Sequence, residues 1–360
     1  MERSVACRAV TALPPPPEGS FASDNFAGVD PAVMAALDDA NRGPAPAYGA
    51  DPWSQRAEAA LRGLFGAPVE SLFCWGGTGA NVVGLATVLQ PWQAVLTPDT
   101  AHIVVDECGA PARFTGATVT PIPTPDGKLR PEHLDPYLHW LGVEHHPQPA
   151  VVSITQSTEM GTLYTVDEVA ALCDKAHAHG LLVHLDGARI ANALVALDTT
   201  MAEAVRDPGV DLMTLGLTKD GAMYGETVVF LRPELAERSA YVRKQAGQLP
   251  SKGRYIAAQV LALLEGDRWL RNAAHANAMA RRLHAATADI PGLVLGEAPP
   301  VNSLFPVVPE AAAHELMAWS FVWPWDMERS MLRWMTAWST TEDDVDRFAE
   351  GVRAIVAAHA

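Results

Sequence analysis

The chain has 360 residues, nearly half of them hydrophobic (49%) and only 19% charged. That balance supports a sizeable buried core and excludes disorder over most of the length. Acidic residues outnumber basic ones by 42 to 26, for a formal charge of −16, so there is no cationic footprint for nucleic acid or an anionic membrane. Four scattered cysteines (Cys7, Cys74, Cys108, Cys173) contain no C-x-x-C pair. They point to free thiols in a reducing, cytoplasmic compartment and not to a disulfide framework or a metal site. No apolar run is long enough to cross a bilayer, and the opening apolar stretch is too short for a secretory signal.

Residues 1–20, with prolines at positions 14 to 17, read as an extended arm. Beyond it, short apolar runs alternate with helical patterns. The runs 71–75, 94–98, 150–154, 181–185, 211–217 and 226–231 show little polar alternation, as strands buried on both faces do. An amphipathic helix over 52–66 stops at Gly66, and a capping box from Thr165 to Glu168 opens another that runs to Gly180. Strands and helices in alternation predict an α/β fold with a mostly parallel sheet. After about residue 235 helical stretches dominate, among them 254–286 read as one long run. Candidate strands follow near 293–296 and 331–336, and a last helix has a capping box from Ser339 to Glu342. The predicted organisation is an arm (1–20), a large α/β domain (21–245) and a smaller α+β domain (246–360).

Three short stretches can carry chemistry. In LLVHLDGARIANA (181–193) a buried strand delivers His184 and Asp186 to its C-terminal end, where open α/β sheets bind ligands. A carboxylate there needs a cationic answer; a structural pairing with Arg189 would supply one, and so would a ligand. In DLMTLGLTKDGAMYG (211–225) a second apolar strand ends at Thr218-Lys219-Asp220-Gly221. Lysine so placed can lose part of its charge and serve as a nucleophile toward a carbonyl, whereas a solvated lysine at a strand exit is the plainer alternative. Cys74-Trp75-Gly76-Gly77-Thr78-Gly79 joins a strand to a helix, a form that suits an anion at the helix N-terminus but is neither a Walker A loop nor a dinucleotide fingerprint. Together they supply what pyridoxal 5'-phosphate requires: a phosphate cradle, an amine for the aldehyde and a carboxylate for the ring nitrogen. At an effective dielectric near 20, such a charge pair at about 4 Å is worth roughly 4 kcal/mol, enough to keep the ring nitrogen protonated.

These residues resemble the low-specificity L-threonine aldolases of the β-eliminating-lyase branch of the aspartate-aminotransferase (type I) fold. The resemblance covers roughly residues 21 to 355. It is carried by Ser23-Asp24-Asn25, Tyr48-Gly49-Ala50-Asp51-Pro52, Gly77-Thr78, Ala101-His102 with Asp106-Glu107, HLDGARIANA, LTKDGA and LRWMTAWSTTEDDVDRF. Within the family the sequence is especially similar to phenylserine and broad β-hydroxy-amino-acid aldolases. The resemblance implies that Lys219 holds the cofactor aldehyde, that Asp186 faces the pyridine nitrogen and that His102 lies against the ring. Gly77, Thr78, Thr218 and Lys244 would hold the phosphate, the last from a neighbouring subunit. Ser23, Arg189 and Arg333 would receive the substrate carboxylate, with Tyr48 and Asp51 donated across an interface of a homodimer or homotetramer. His102, or His145 or His146, would take the proton of the β-hydroxyl, releasing glycine and an aldehyde.

Two departures stand out. Asp220 follows the lysine where the family usually has glycine or Asn-Gly, and it is expected to turn away from the phosphate. The segment 319–330 lacks the family's usual appearance. Other reactions with the same cofactor (β-elimination, transamination, racemisation, glycyl transfer) and a non-catalytic homologue remain open alternatives at this level.

Overall fold

Local signals place several helix ends. The helix Pro52–Phe65 is capped by Asp51, whose Oδ1 accepts from Ser54 N at 2.8 Å, and it closes at a left-handed Gly66. The helix Val166–His177 opens with the expected reciprocal Thr165–Glu168 box. The last helix, Glu342–Ala358, starts two residues later than read: the box is Thr341–Asp344, not Ser339–Glu342. Asp344 was the better partner because its other oxygen also accepts Gly19 N at 2.8 Å, tying the start of the chain to this helix. The run 254–286 is two helices, Arg254–Leu264 and Arg268–Thr287, separated where Gly266 takes φ 57.

The computed structural model describes residues 13–359; positions 1–12 of the expected arm, with Cys7, lie outside the described residues. Seven strands form the main sheet: β1 (Glu70–Cys74), β2 (Gln93–Pro98), β3 (Thr118–Ile122), β4 (Gln148–Thr155), β5 (Leu182–Gly187), β6 (Leu212–Leu215) and β7 (Glu226–Phe230), in the order β1-β7-β6-β5-β4-β2-β3. β7 is antiparallel to β1 and β6, and every other neighbouring pair is parallel. Six strands therefore discharge their C-terminal ends along one edge. β3 has no counterpart among the apolar runs of the sequence. It is polar and contains Pro121, which an edge strand with one paired side tolerates.

A second sheet, β8 (Ser303–Leu304), β9 (Trp323–Asp326) and β10 (Met331–Met335), is antiparallel in the order β8-β10-β9. The expected strand at 293–296 is only a single bridge between Val294 and Val307. Two apolar cores accompany the sheets. The larger one includes Ile256, Val260 and Trp269, well past residue 245, while the second gathers Met279, Trp334, Phe348 and Val352. The two meet along the helix Arg268–Thr287. Phe21 belongs to the second core, stacked on Phe348 at 4.2 Å.

Candidate active site

β5 and β6 are neighbours, and their exits are drawn together by a close backbone approach. Gly216 N donates to Gly187 O at 3.1 Å, and a Cβ at Gly216 would lie 2.6 Å from Ala188 Cα. Asp186 at the end of β5 and Lys219 beyond β6 therefore open on the same edge. Lys219 lines a cavity of about 390 Å³ together with Ser23, His102, Glu159, Arg189 and Arg333. Burial disfavours the charge on its amine, and the next largest influence, the Arg189 guanidinium, acts in the same direction. Its pKa is held below the usual lysine value, as nucleophilic attack on a carbonyl requires.

Asp186 is not paired with Arg189. Its Oδ1 accepts Ala188 N at 3.0 Å and its Oδ2 accepts Asn81 Nδ2 at 2.8 Å. Asn81 also donates to Glu107 Oε1 at 2.8 Å and accepts from Thr214 Oγ1 at 2.7 Å. Glu107 Oε1 in turn lies 2.8 Å from His102 Nδ1, and this hydrogen bond raises the imidazole pKa against the effect of burial. A buried chain thus runs from Asp186 through Asn81 and Glu107 to His102. Neither Asn81 nor Glu107 was assigned a role from the sequence, although Glu107 stood within a quoted motif.

Arg189 has a different partner. Its Nε and Nη2 donate to Asp24 Oδ2 and Oδ1 at 2.7 and 2.9 Å. Burial raises the Asp24 pKa, but Arg189 outweighs it and holds the carboxyl below the usual range. Asn302 Nδ2 adds a donor to Asp24 at 3.1 Å. The Ser23-Asp24-Asn25 motif is therefore a clamp on Arg189, with Ser23 Oγ accepting from Asn25 N at 3.2 Å. Arg333, on β10, sits 5.5 Å from the centre of the Trp325 ring and donates to Ala22 O at 3.4 Å, while its buried Nε has no partner. Aromatic packing and an unspent guanidinium coexist there.

The glycine turn after β1 leads into the helix Gly77–Val88, capped by Gly76 with no side-chain bond. A Cβ at Gly76 or Gly77 would meet nothing within 4 Å, while the Gln248 side chain accepts Trp75 N at 3.0 Å and lies against Gly79, so the turn is open at its first two glycines. Thr218 Oγ1 donates to Gly225 O at 3.4 Å. A buried amine of lowered pKa, a strand-end carboxylate held by neutral donors and an open helix N-terminus match the functional groups of pyridoxal phosphate, so the residues present fit that cofactor.

Other expected residues lie elsewhere. His145 is exposed and precedes β4, at the end opposite Thr155, which pairs with Asp186. Seven residue steps at about 3.3 Å each put it more than 20 Å along the strand from that edge. His146 stacks on Trp140 at 5.1 Å beside it. The structure does not bring this pair to the cavity. Tyr48 is exposed, with Lys244 Nζ 5.6 Å from its ring centre, and neither lines the cavity.

Asp220 is buried, not solvated: its Oδ2 has no partner, and burial, then Asp24 and Glu226, push its carboxyl well above the usual value. Burial of this carboxyl disfavours its charge, which weakens any repulsion of a phosphate. An acid whose folded pKa is raised stabilises fully below its unfolded value and loses that contribution as pH rises. Above about pH 4, wild type should thus lose up to about 1.4 kcal/mol per pH unit relative to Asp220→Asn until the folded-state pKa is passed. Urea unfolding of the cofactor-free proteins at about pH 5 and about pH 8 measures this, the variant's advantage being larger at the higher pH.

The sheet and its edge define an α/β protein of the aspartate-aminotransferase-like fold. The chain belongs to the beta-eliminating lyase family, which it matches over residues 20–310. It is 39% identical over 339 residues to a low-specificity L-threonine aldolase of a Pseudomonas species, spanning 94% of this chain and 98% of that one. A solved threonine aldolase of Leishmania major superposes with a TM-score of 0.87 at 32% identity, covering 94% and 99% of the two chains. Serine palmitoyltransferase of Sphingomonas wittichii shares the fold, with a TM-score of 0.70 at 16% identity over 94% of this chain and 86% of its own.

Proposed function

We propose that this chain is a pyridoxal-phosphate-dependent aldolase that cleaves L-β-hydroxy-α-amino acids, of the threonine and phenylserine type, to glycine and an aldehyde. The observation that carries the reading is the cavity itself, where a buried amine of depressed basicity faces two guanidinium groups, Arg189 and Arg333. Lys219 would hold the cofactor aldehyde, Asp186 the ring nitrogen, and Gly77, Thr78 and Thr218 the phosphate, with His102 beside the ring. Bound there, the cofactor supplies a sink for the electron pair left on Cα. Arg333 and the clamped Arg189, with Ser23, would grip the α-carboxylate and so select which bond of Cα is broken. Asn81 keeps Asp186 oriented, and the exposed aromatic residues Phe26 and Trp323 at the cavity rim offer an apolar surface to the β-substituent.

The homology also motivates a homodimer or homotetramer, in which the exposed Tyr48–Lys244 pair would serve the phosphate end of a neighbouring subunit. Placement in the cytoplasm belongs to the same reading, supported by the free thiols of Cys74, Cys108 and Cys173. No helix among the described residues is long and apolar enough to cross a membrane.

The test is to supply L-threonine and L-phenylserine to the cofactor-loaded protein. Equal amounts of glycine and acetaldehyde or benzaldehyde are expected; a keto acid with ammonia, or no product, would overturn the assignment. Arg333→Ala removes a charge-assisted bond to the carboxylate worth about 1.5–3 kcal/mol. Steady-state kinetics should show KM raised by about 10- to 150-fold, with the absorbance of the bound cofactor unchanged.

A further inference from the structure

Glu159 belongs to no motif read from the sequence, yet it returns to the functional edge four residues after β4 ends. Its Oε1 accepts His102 N and Thr155 Oγ1, both at 2.9 Å. Its Oε2 is buried and has no partner, and the residue lines the same cavity as Lys219 and Arg333. A lone acceptor oxygen on an immobilised carboxyl is an unfilled position for a donor arriving with a ligand.

The other ionisable groups of the cavity are committed or unsuited. His102 spends Nδ1 on Glu107 and, in the reading above, lies against the cofactor ring. Arg189 is clamped by Asp24, and Arg333 is a donor. Asp106 is exposed to water. His145 is at the far end of β4.

Resting on the aldolase reading above, we propose that Glu159 Oε2 is the base that takes the proton of the substrate's β-hydroxyl. The O–H electron pair becomes the π bond of the departing aldehyde, the Cα–Cβ pair stays on the glycine fragment, Cα later gains one proton from solvent, and Glu159 releases the proton it took to solvent. Reactants and products balance without an oxidant or reductant. The groups acting on Glu159 suit this exchange. Burial, then repulsion from Asp186 on β5, raise its carboxyl to about 7 despite the donors from His102 and Thr155, while Arg189 and Tyr164 are its further charged and titratable neighbours. A group that titrates near neutrality can both accept and return a proton.

The experiment compares wild type with Glu159→Gln and Glu159→Asp. Glutamine should lower kcat for L-phenylserine by about 10²- to 10⁴-fold, abolish the acid limb of its pH profile and leave cofactor affinity unaltered. Exchange of the glycine α-proton with deuterated water, which involves no β-hydroxyl, should persist, and aspartate should restore part of the cleavage. Unchanged cleavage with an unchanged pH profile in Glu159→Gln would overturn the proposal, and so would equal loss of cleavage and exchange. In the cofactor-free wild type, carbon NMR of labelled glutamate should show one side chain titrating near neutrality; its absence overturns the proposal even if the glutamine variant does not fold. Wild type that cleaves no β-hydroxy amino acid would instead remove the aldolase reading.

Discussion

Lys219→Ala is expected to abolish glycine formation, lowering kcat/KM by roughly four orders of magnitude or more, while the protein still folds. The two halves of this expectation have separate physical grounds. Folding survives because the side chain lines a cavity and contributes little to either apolar core. Turnover is lost because burial and Arg189 both depress the basicity of this amine, and no second lysine among the described residues lines that cavity. Borohydride treatment of the loaded wild type should attach the cofactor to one peptide, the one containing Lys219, and the variant should take up no such label. Activity retained in Lys219→Ala, or a label elsewhere, would contradict the assignment.

Asp24→Ala is expected to be the most destabilising single change at this edge. The Asp24 side chain is 2% exposed and meets the Arg189 fork through two short bonds. Its removal strands a guanidinium, and breaking a buried pair on one side costs about 3–5 kcal/mol. Chemical denaturation of the cofactor-free protein should report a loss of that size. Replacing both partners with leucine should cost less than the single change, because no uncompensated charge is left behind. Substrate affinity should fall in the single variant as well, since Arg189 would then be free to swing from the position that Asp24 imposes.

Both experiments concern contacts of different legibility. Asp186 and Lys219 stand out in the sequence because the first follows a buried apolar run directly and the second comes one residue after another, and because a parallel sheet gathers such ends. Strand polarity, applied to the apolar run 150–154, sets aside His145 at its N-terminal end, but the rule stops at Thr155 and does not reach Glu159. Glu159 lies four residues beyond the strand and reaches back. Asp24 is separated from Arg189 by 165 positions, and nothing local to either residue names the other.

Alternating apolar runs and helical patterns and two of the three cap positions described above were thus determined by the sequence alone, because each depends on neighbours within one turn or one strand. Tertiary structure decided the rest. It set the edge strand β3, whose polar residues and proline are permitted by having one partner, and the break at Gly266. It also buried Asp220, set Asn81 between two carboxylates, and brought Glu159 with its spare oxygen to the cavity that Lys219 lines. These depend on desolvation and on hydrogen bonds between residues distant along the chain, and such terms acquire a value only when the packing around each charge is known.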